Sequence, residues 1–252
     1  MSLVLRAVAL VVLTSSSAVA QVAFTGAPVT QNFNSLPSTG TSPFAGLLPG
    51  WASSQGDLVA GTGSSNTGAL YSFGATGSTD RALGSVASGG TGTIAFGLWL
   101  TNNTGQTLNQ FTLAYTGEQW RRGDNVANAL QFAYGLGATG LTTGTFVDVA
   151  SLSFTAPTTS GSNTALDGNA AGNRTARSAT VTGLTWTAGQ SLWLRWQDIN
   201  DAGADDGLAV DDLTFTAAGP TVVIPEPSTT ALLASGVGVL LLVVMGRARR
   251  GA

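Results

Sequence analysis

Three residue types on which much enzyme chemistry depends are missing from this 252-residue chain: cysteine, histidine and lysine. Without cysteine there is no disulfide framework and no thiolate nucleophile or ligand. Without histidine there is no Ser-His-Asp triad and no imidazole metal site. Without lysine there is no Schiff base and no P-loop. Carboxylate chemistry, metal sites built from oxygen ligands, and binding without chemistry remain open.

Charged residues are also scarce, at 9% of the chain, where an ordinary soluble protein has about a quarter. Between Gln21 and Ile224 there are twelve acidic residues and six arginines, so this segment has a net charge of −6. That sign argues against nucleic acid and anionic lipid headgroups as partners. Abundant threonine, serine, asparagine and glycine would instead supply a polar, uncharged surface.

Residues 1–20 have the pattern of a secretory signal peptide. Arg6 is the only charge, and the apolar run Ala7 to Leu13 follows it. Ala18 and Ala20 supply the small side chains that signal peptidase reads, which makes Gln21 the expected new first residue. An N-terminal membrane anchor is the alternative, but a bilayer span needs about twenty apolar residues. We therefore predict that the chain is exported and cleaved after Ala20.

A second apolar segment, residues 229–246, lies near the C-terminus and carries no charge. As a helix it would be about 27 Å long, close to the hydrocarbon thickness of a bilayer. Arg247, Arg249 and Arg250 follow in the basic tail 247–252. Cations beside a span stay on the cytoplasmic side, so residues 21–218 would lie outside. A buried core helix fits this position and these arginines less well than a transmembrane helix.

The linker 219–228 contains Pro225, Glu226 and Pro227, and the two prolines favour an extended, unpaired segment. The order of Pro-Glu-Pro, apolar span and arginine cluster resembles the PEP-CTERM sorting signal of Gram-negative bacteria. This resemblance covers Val223 to Ala252. It implies recognition by an exosortase, transient anchoring in the inner membrane, removal of the tail, and delivery to the cell envelope or the extracellular polysaccharide matrix. It implies nothing about the function of the body.

The body, residues 21–218, is predicted to be an all-β antiparallel sandwich of the jelly-roll type. Short apolar alternations are separated by Gly-, Ser-, Thr- and Asn-rich loops, which is typical of such folds. Ser35 to Gly92 is predicted to form long surface loops with two or three edge strands. The strand-forming alternations are Ile94–Leu100, Phe111–Tyr115, Leu130–Tyr134, Val147–Phe154, Leu192–Trp196 and Leu213–Phe215.

Half of the acidic residues of the body lie in the fifteen residues from Asp198 to Asp212. Carboxylate and carbonyl oxygens on a turning loop suit Ca²⁺. The segment is not an EF-hand, because Ala202 and Ala209 occupy positions five and twelve. Two interpretations stay open, namely a calcium site of another kind and a solvated acidic turn. The candidate calcium ligands are Asp198, Asn200, Asp201, Asp205, Asp206 and Asp211.

Asp211 is expected to point inward with Leu213 and Phe215 if its strand is regular, whereas a bulge could turn Asp212 inward instead. An inward carboxylate needs an arginine or a metal as partner. The run Gly207 to Leu213 resembles the last strand of MAM and laminin-G-like jelly rolls, in which a structural Ca²⁺ is frequent. The run Phe111 to Arg121 resembles bodies of secreted PEP-CTERM proteins and surface nucleases, where this domain is accessory and not catalytic.

Three functions are compatible with these patterns. The leading one is a non-catalytic envelope or matrix protein, for which stabilisation by calcium stays open. The alternative is a lectin-like module for exopolysaccharide, because Trp99 and Trp193 fall opposite core-facing residues and could stack on sugars if exposed. A glycoside hydrolase needs two carboxylates, but Glu118 is the only glutamate of the body and Arg121 and Arg122 offer it ion pairs. Catalysis is therefore not predicted.

Overall fold

The structure is a computed structural model that describes residues 21–220. The predicted signal peptide, the Pro-Glu-Pro motif, the apolar span and the basic tail lie outside these residues. Within them, no helix is long and apolar enough to cross a membrane. The sixteen strands are β1 Val22–Phe24, β2 Val29–Gln31, β3 Thr41–Pro43, β4 Trp51–Ser53, β5 Asp57–Gly61, β6 Ala69–Phe73, β7 Ala82–Val86, β8 Ile94–Asn102, β9 Leu108–Arg122, β10 Ala129–Leu136, β11 Val147–Asp148, β12 Phe154–Thr155, β13 Thr164–Ala165, β14 Arg174–Trp186, β15 Ser191–Asp198 and β16 Gly207–Ala218.

These strands form two sheets that face each other across one apolar core, so the all-β sandwich is confirmed. The seven-stranded sheet has the order β1-β8-β15-β10-β11, with β4 beside β8 and β12 beside β10. The nine-stranded sheet has the order β13-β9-β16-β7-β6-β5-β3, with β14 beside β9 and β2 beside β16. Among the described residues 21–220, these two sheets enclose the core.

The sheets are mixed, which corrects the purely antiparallel prediction. Strand β1 runs parallel to β8, and β5 runs parallel to β6. Parallel neighbours need a connection that returns the chain to the end from which it started. For β1 and β8 the intervening strands β2 to β7 supply that return, and for β5 and β6 residues 62–68 do so. All other pairings are antiparallel.

The core has an aromatic centre at Trp196, which is completely buried. Its ring stacks on Trp51 at 5.9 Å and on Phe96 at 6.1 Å between ring centroids. Tyr115 and Phe132 meet it edge-on at 5.5 and 5.1 Å. Such pairs contribute about 0.5–1.5 kcal/mol beyond the burial of their area. Because Trp196 and Phe96 come from one sheet and Tyr115 from the other, this cluster ties the two sheets together.

The predicted alternations on β8, β9, β10, β15 and β16 are confirmed, since their apolar residues line the core. Elsewhere the prediction is wrong. The segment 147–155 is not one strand but two short strands around the 3-10 helix Ala150–Leu152. Strands β6 and β7 lie inside the nine-stranded sheet and are not edge strands. The 13-residue strand β14 was not predicted at all.

A β-bulge interrupts β16 at Asp211 and Asp212. Before it, Leu208 and Val210 face the core, and after it Leu213 and Phe215 do so. The register with β9 jumps here, because Asp211 pairs with Thr116 and Thr214 with Ala114. The extra residue shifts the alternation by one. Asp211 therefore points away from the core, which corrects the expectation that it shares the face of Leu213 and Phe215.

A buried carboxyl group links the two sheets. Ser85 on β7 donates a hydrogen bond of 2.8 Å from Oγ to Oδ2 of Asp198 on β15. The Asp198 side chain is fully buried, and its Oδ1 has no hydrogen-bond partner within the described residues. Burial raises the pKa of Asp198 to about 8, although the Ser85 hydroxyl and the Ala87 amide oppose the rise. Asp198 is therefore a neutral acid in the folded protein at neutral pH.

We expect stability to fall as the pH rises towards and through 8. The folded state keeps a proton on Asp198 that the unfolded chain, with an ordinary pKa of about 3.9, has already lost. The contribution of Asp198 to the free energy of unfolding is fully present below about pH 4. It decreases by up to about 1.4 kcal/mol per pH unit as the pH rises, and it is lost once the pH has passed through 8. Thermal melts of residues 21–220 from pH 4 to pH 9 should show this fall.

The substitution Asp198→Asn keeps a neutral hydrogen-bonding group at the same place and should make the fall less steep, although the buried acids Glu118 and Asp211, whose pKa values are also raised, keep part of it. Asp57→Asn, which removes an exposed carboxylate on β5, should leave it unchanged. A wild-type melting temperature that rises from pH 5 to pH 8 would contradict this assignment.

Candidate functional site

The outer face of the nine-stranded sheet is rich in small hydroxyl side chains. Strand pairing places Thr180, Thr112 and Thr216 in one row across three strands. The next row contains Ser178, Ala114, Thr214 and Thr30. The Thr112 and Thr180 hydroxyls hydrogen-bond each other at 2.7 Å. This part of the face has no charged side chain in either row.

A groove of about 380 Å³ opens beside the second row, where β2 meets β16. Its size lies within the range of small-ligand sites. Thr30, Asn32, Asp212 and Thr214 are exposed in it, and Gln31 is half-buried. Among the described residues, the Thr30 and Thr214 hydroxyls, the Asp212 carboxylate and the Asn32 Nδ2 make no hydrogen bond. The lining residues are Thr30, Gln31, Asn32, Asp212, Leu213 and Thr214.

The backbone is strained on both sides of this groove. Within residues 21–220 only two non-glycine residues have a positive φ, Phe33 at 54° and Asp212 at 49°. Asp212 lines the groove and Phe33 follows the lining residue Asn32. Left-handed backbone at a non-glycine residue costs of the order of 1 kcal/mol and is concentrated at functional sites. The coincidence of both strained residues with one groove therefore marks it as a candidate site.

Two buried carboxyl groups lie on the same outer face beside the bulge. Glu118 on β9 pairs with Ala209, and Asp211 lies two residues further along β16. Side chains in such diagonal positions lie about 7–8 Å apart. Burial raises the pKa of Glu118 to about 7, opposed by the hydrogen bond that Trp120 Nε1 donates at 2.8 Å. Burial raises the pKa of Asp211 to about 8, opposed by the Asp212 amide and increased by Glu118.

The surroundings of Glu118 differ from those predicted. Arg121 and Arg122 do not pair with it, since Arg121 Nη1 donates to the Gly63 and Ser64 carbonyls and Arg122 Nη1 to the Ser160 carbonyl. The cation that favours ionised Glu118 is Arg174. Sequence reasoning also missed the groove residues Thr30, Asn32 and Thr214. The doubled aspartate inside an otherwise regular strand was the signal that could have located them.

The tryptophan side chains do not form an exposed platform, which corrects that expectation. Trp51, Trp120, Trp186, Trp193 and Trp196 are buried, and Trp99 is half-buried. Trp99 and Trp193 do stack, with centroids 5.2 Å apart, on the outer face of the seven-stranded sheet. Ala138, Leu141 and Phe146 of the β10–β11 loop pack against this pair. Sugar stacking on several exposed tryptophans is therefore not available in this structure.

The predicted calcium ligands are dispersed. Asp198 lies in the core, Asp211 lies on the outer face of the nine-stranded sheet, and half-buried Asn200 forms no side-chain hydrogen bond among the described residues.

By contrast, Asp201, Asp205 and Asp206 share hydrogen-bond partners. Asn128 Nδ2 donates a hydrogen bond of 2.7 Å to Asp201 Oδ2, and Asn128 Oδ1 accepts one of 2.8 Å from the Asp206 amide. Asp205 Oδ1 accepts a hydrogen bond of 2.9 Å from the Asp201 amide, and Asp206 Oδ1 accepts one of 2.7 Å from the Gly123 amide. Among residues 21–220, no group of three or more acidic side chains is arranged to hold a metal ion. Calcium binding by the loop stays a prediction from its charge.

Neither a protein-family model nor a curated protein matches this sequence. Among solved structures, the xylan-binding domain CBM22-1 of Paenibacillus barcinonensis Xyn10C has a TM-score of 0.40 and 10% identity, over 80% of this chain and 99% of that domain. The N-terminal cellulose-binding domain of Cellulomonas fimi β-1,4-glucanase C has a TM-score of 0.32 and 14% identity, over 69% of this chain and 91% of that domain. An arabinose-bound α-L-arabinofuranosidase has a TM-score of 0.41 and 11% identity, over 80% of this chain and 30% of that chain. With TM-scores below 0.5, these likenesses carry no argument about function.

Thermal melts in EDTA and in millimolar Ca²⁺ test the calcium prediction. An ion that binds only the native state stabilises it by about 2.7 kcal/mol at a hundredfold excess over its dissociation constant. A rise of several degrees that Asp205→Asn removes and Asp211→Asn retains would place an ion at the Asp201–Asp205 turn. Equal melting temperatures would show that the acidic loop is a turn held by its own hydrogen bonds.

Proposed function

We propose that this chain is an exported envelope protein whose jelly-roll body binds a neutral polysaccharide without catalysing a reaction. The binding site is the groove between β2 and the bulge of β16. The proposed function is the lectin-like one, with the sugar-binding site in this groove. It rests on the groove of this chain and not on the remote structural likenesses.

The observation that carries the proposal is the set of unengaged hydrogen-bonding groups in the groove. Sugar hydroxyls both donate and accept, so a sugar site needs acceptors and donors at close range. Asp212 supplies a carboxylate acceptor, Asn32 Nδ2 a donor, and the hydroxyls of Thr30 and Thr214 supply both. None of these groups is used by the described part of the protein itself. A few such convergent polar groups in a concave site fix a ligand's orientation.

The threonine rows support a polymer as the ligand. From β16, one row continues from Thr214 to Ser178 and the other from Thr216 to Thr112 and Thr180, and neither contains a charge. Neighbouring strands lie about 4.8 Å apart, so the rows offer hydroxyl groups over a length of several sugar units. A net charge of −6 in the segment from Gln21 to Ile224 disfavours strongly anionic polymers. A neutral polysaccharide chain is the ligand class that suits both properties.

The carboxyl pair favours binding over the glycosidase alternative. A glycosidase needs one carboxyl group protonated and the other ionised as nucleophile or base. Here burial raises the pKa of both Glu118 and Asp211, to about 7 and about 8. The exposed fractions of these side chains are only 2% and 4%. Because both acids are covered, neither offers a substrate the accessible carboxylate that hydrolysis requires.

Affinity electrophoresis of residues 21–220 in gels containing soluble neutral polysaccharides is the direct test. We expect at least one of xylan, mixed-linkage β-glucan or galactan to retard the wild-type protein. Thr30→Val and Thr214→Val remove one hydroxyl each while keeping the shape of the side chain. Each should weaken binding about fivefold, as expected for one hydrogen bond of about 1 kcal/mol. Asp212→Gly should weaken it about tenfold or more.

Asp212→Gly should change stability and binding in opposite directions, so that a loss of binding cannot be attributed to a loss of folding. Glycine adopts positive φ without a steric penalty, so this variant should melt at a higher temperature than the wild type while binding more weakly. Thr182→Val, on the same face but outside the groove, is the matched control and should bind normally. Full binding by Asp212→Gly and Thr30→Val would exclude the groove as the site.

The export and sorting part of the proposal rests on the sequence of the two termini. A mature chain isolated from its own host should begin at Gln21 and should lack residues 229–252. Intact-mass spectrometry measures both ends at once. A mature protein that retains residues 1–20 or the basic tail 247–252 would contradict processing by signal peptidase or by an exosortase.

A further inference from the structure

Strand β14 is paired on one side only. It forms regular antiparallel pairs with β9 from Arg174 to Thr182, followed by a register shift to Trp186. Within residues 21–220, no other backbone-to-backbone hydrogen bond involves residues 174–186. In an antiparallel strand every second residue directs its N–H and C=O groups away from the neighbour. The free edge of β14 therefore carries a row of unpaired donors and acceptors.

The other strands at sheet edges are short or blocked. Strand β3 has three residues and ends in Pro43, while β11, β12 and β13 have two residues each. Short edge strands and proline are common means of preventing edge-to-edge association. Strand β14 has thirteen residues and no proline, and it carries no charge from Ser178 to Thr182. A long free edge with an uncharged centre is a template for another strand.

We propose that the edge of β14 pairs with β14 of a second copy of this chain, antiparallel about a two-fold axis at Thr180. In this register Thr180 lies opposite its own copy, and Ser178 lies opposite Thr182. On the inner side, Ala179 lies opposite Val181. From Ser178 to Thr182, every contact is thus a hydroxyl pair or an apolar pair, which is the self-complementarity that a two-fold interface requires.

The charges of β14 favour this register over others. Arg177 would lie opposite Gly183, six residues along the strand from the Arg177 of the second copy. At about 3.4 Å per residue, the two guanidinium-bearing positions are about 20 Å apart. A register that brings the arginines together would place like charges side by side, which is destabilising. Gly183, with a φ of 77° at the register shift, ends the regular pairing at the other side.

The existing contacts of β14 show what the new pair would resemble. On the outer face, Thr180 already forms a hydroxyl pair with Thr112 at 2.7 Å. On the inner face, Ala179 and Val181 are half-buried and pack against the core. A second copy would therefore repeat contacts that β9 makes. The two nine-stranded sheets would join, and their threonine rows would continue from one copy into the other. This inference is independent of carbohydrate binding.

Sedimentation equilibrium of residues 21–220 over a wide concentration range tests the proposal. We expect a reversible dimer. Thr180→Lys and Thr180→Glu each place two like charges at the two-fold axis, so each variant alone should dimerise at least about tenfold more weakly. An equimolar mixture of the two should recover the wild-type affinity, because lysine then faces glutamate. Gln131→Lys, exposed on the other sheet, is the matched control and should dimerise normally.

Circular dichroism melts of each variant establish that the fold is retained, and recovery in the mixture requires folded partners in any case. A wild-type protein that is monomeric at every concentration would overturn the proposal. So would a dimer that Thr180→Lys does not weaken, because its interface would then lie elsewhere. The same measurement on a longer chain that ends at Ile224 is a further test. If that chain is monomeric at concentrations where the chain ending at Pro220 is dimeric, residues 221–224 and not a second copy pair with the β14 edge, and the proposal is overturned.

Discussion

The single extra residue in β16 is the constraint on which the candidate site depends. A strand alternates strictly between two faces, so one inserted residue exchanges the faces for everything that follows. The insertion at Asp211 and Asp212 lets Leu208 and Val210 face the core on one side of the bulge and Leu213 and Phe215 on the other. It also leaves two acidic residues directed away from that core. The core and the polar groove are thus consequences of the same irregularity.

The carboxyl groups of this protein separate into two classes by their surroundings. Asp198, Glu118 and Asp211 are buried, and burial raises the pKa of each into the range of about 7 to 8. Burial disfavours the charged form of each group, and protonation lowers the cost of burying it. Asp212 is exposed and has no hydrogen-bond partner for its side chain among the described residues. Of the three carboxyl groups at the bulge, Glu118, Asp211 and Asp212, only Asp212 is open to a ligand, and it lines the groove.

The sequence was sufficient for the fold class and for most of the core, because period-two patterns are explicit in β8, β9 and β15. It was insufficient where that pattern is absent. Before its register shift, strand β14 has only Ala179 and Val181 as half-buried apolar residues, and after the shift Leu184 and Trp186 enter the core, so no continuous alternation marks it as a strand. In the acidic loop, closeness in sequence predicted only part of the arrangement. Strand direction and the bulge send Asp198, Asp206 and Asp211 to three different environments, whereas Asp201 and Asp206 share the partner Asn128.

The central claim is that a neutral polysaccharide binds at the bulge groove and not at the tryptophan pair of the opposite sheet. Amide chemical shifts of ¹⁵N-labelled residues 21–220, followed during titration with an oligosaccharide of the retarding polymer, distinguish the two faces. The account predicts that the largest changes occur at Thr30 to Asn32 and at Asp212 to Thr214. Changes concentrated instead at Trp99, Trp193 and residues 137–146 would contradict it.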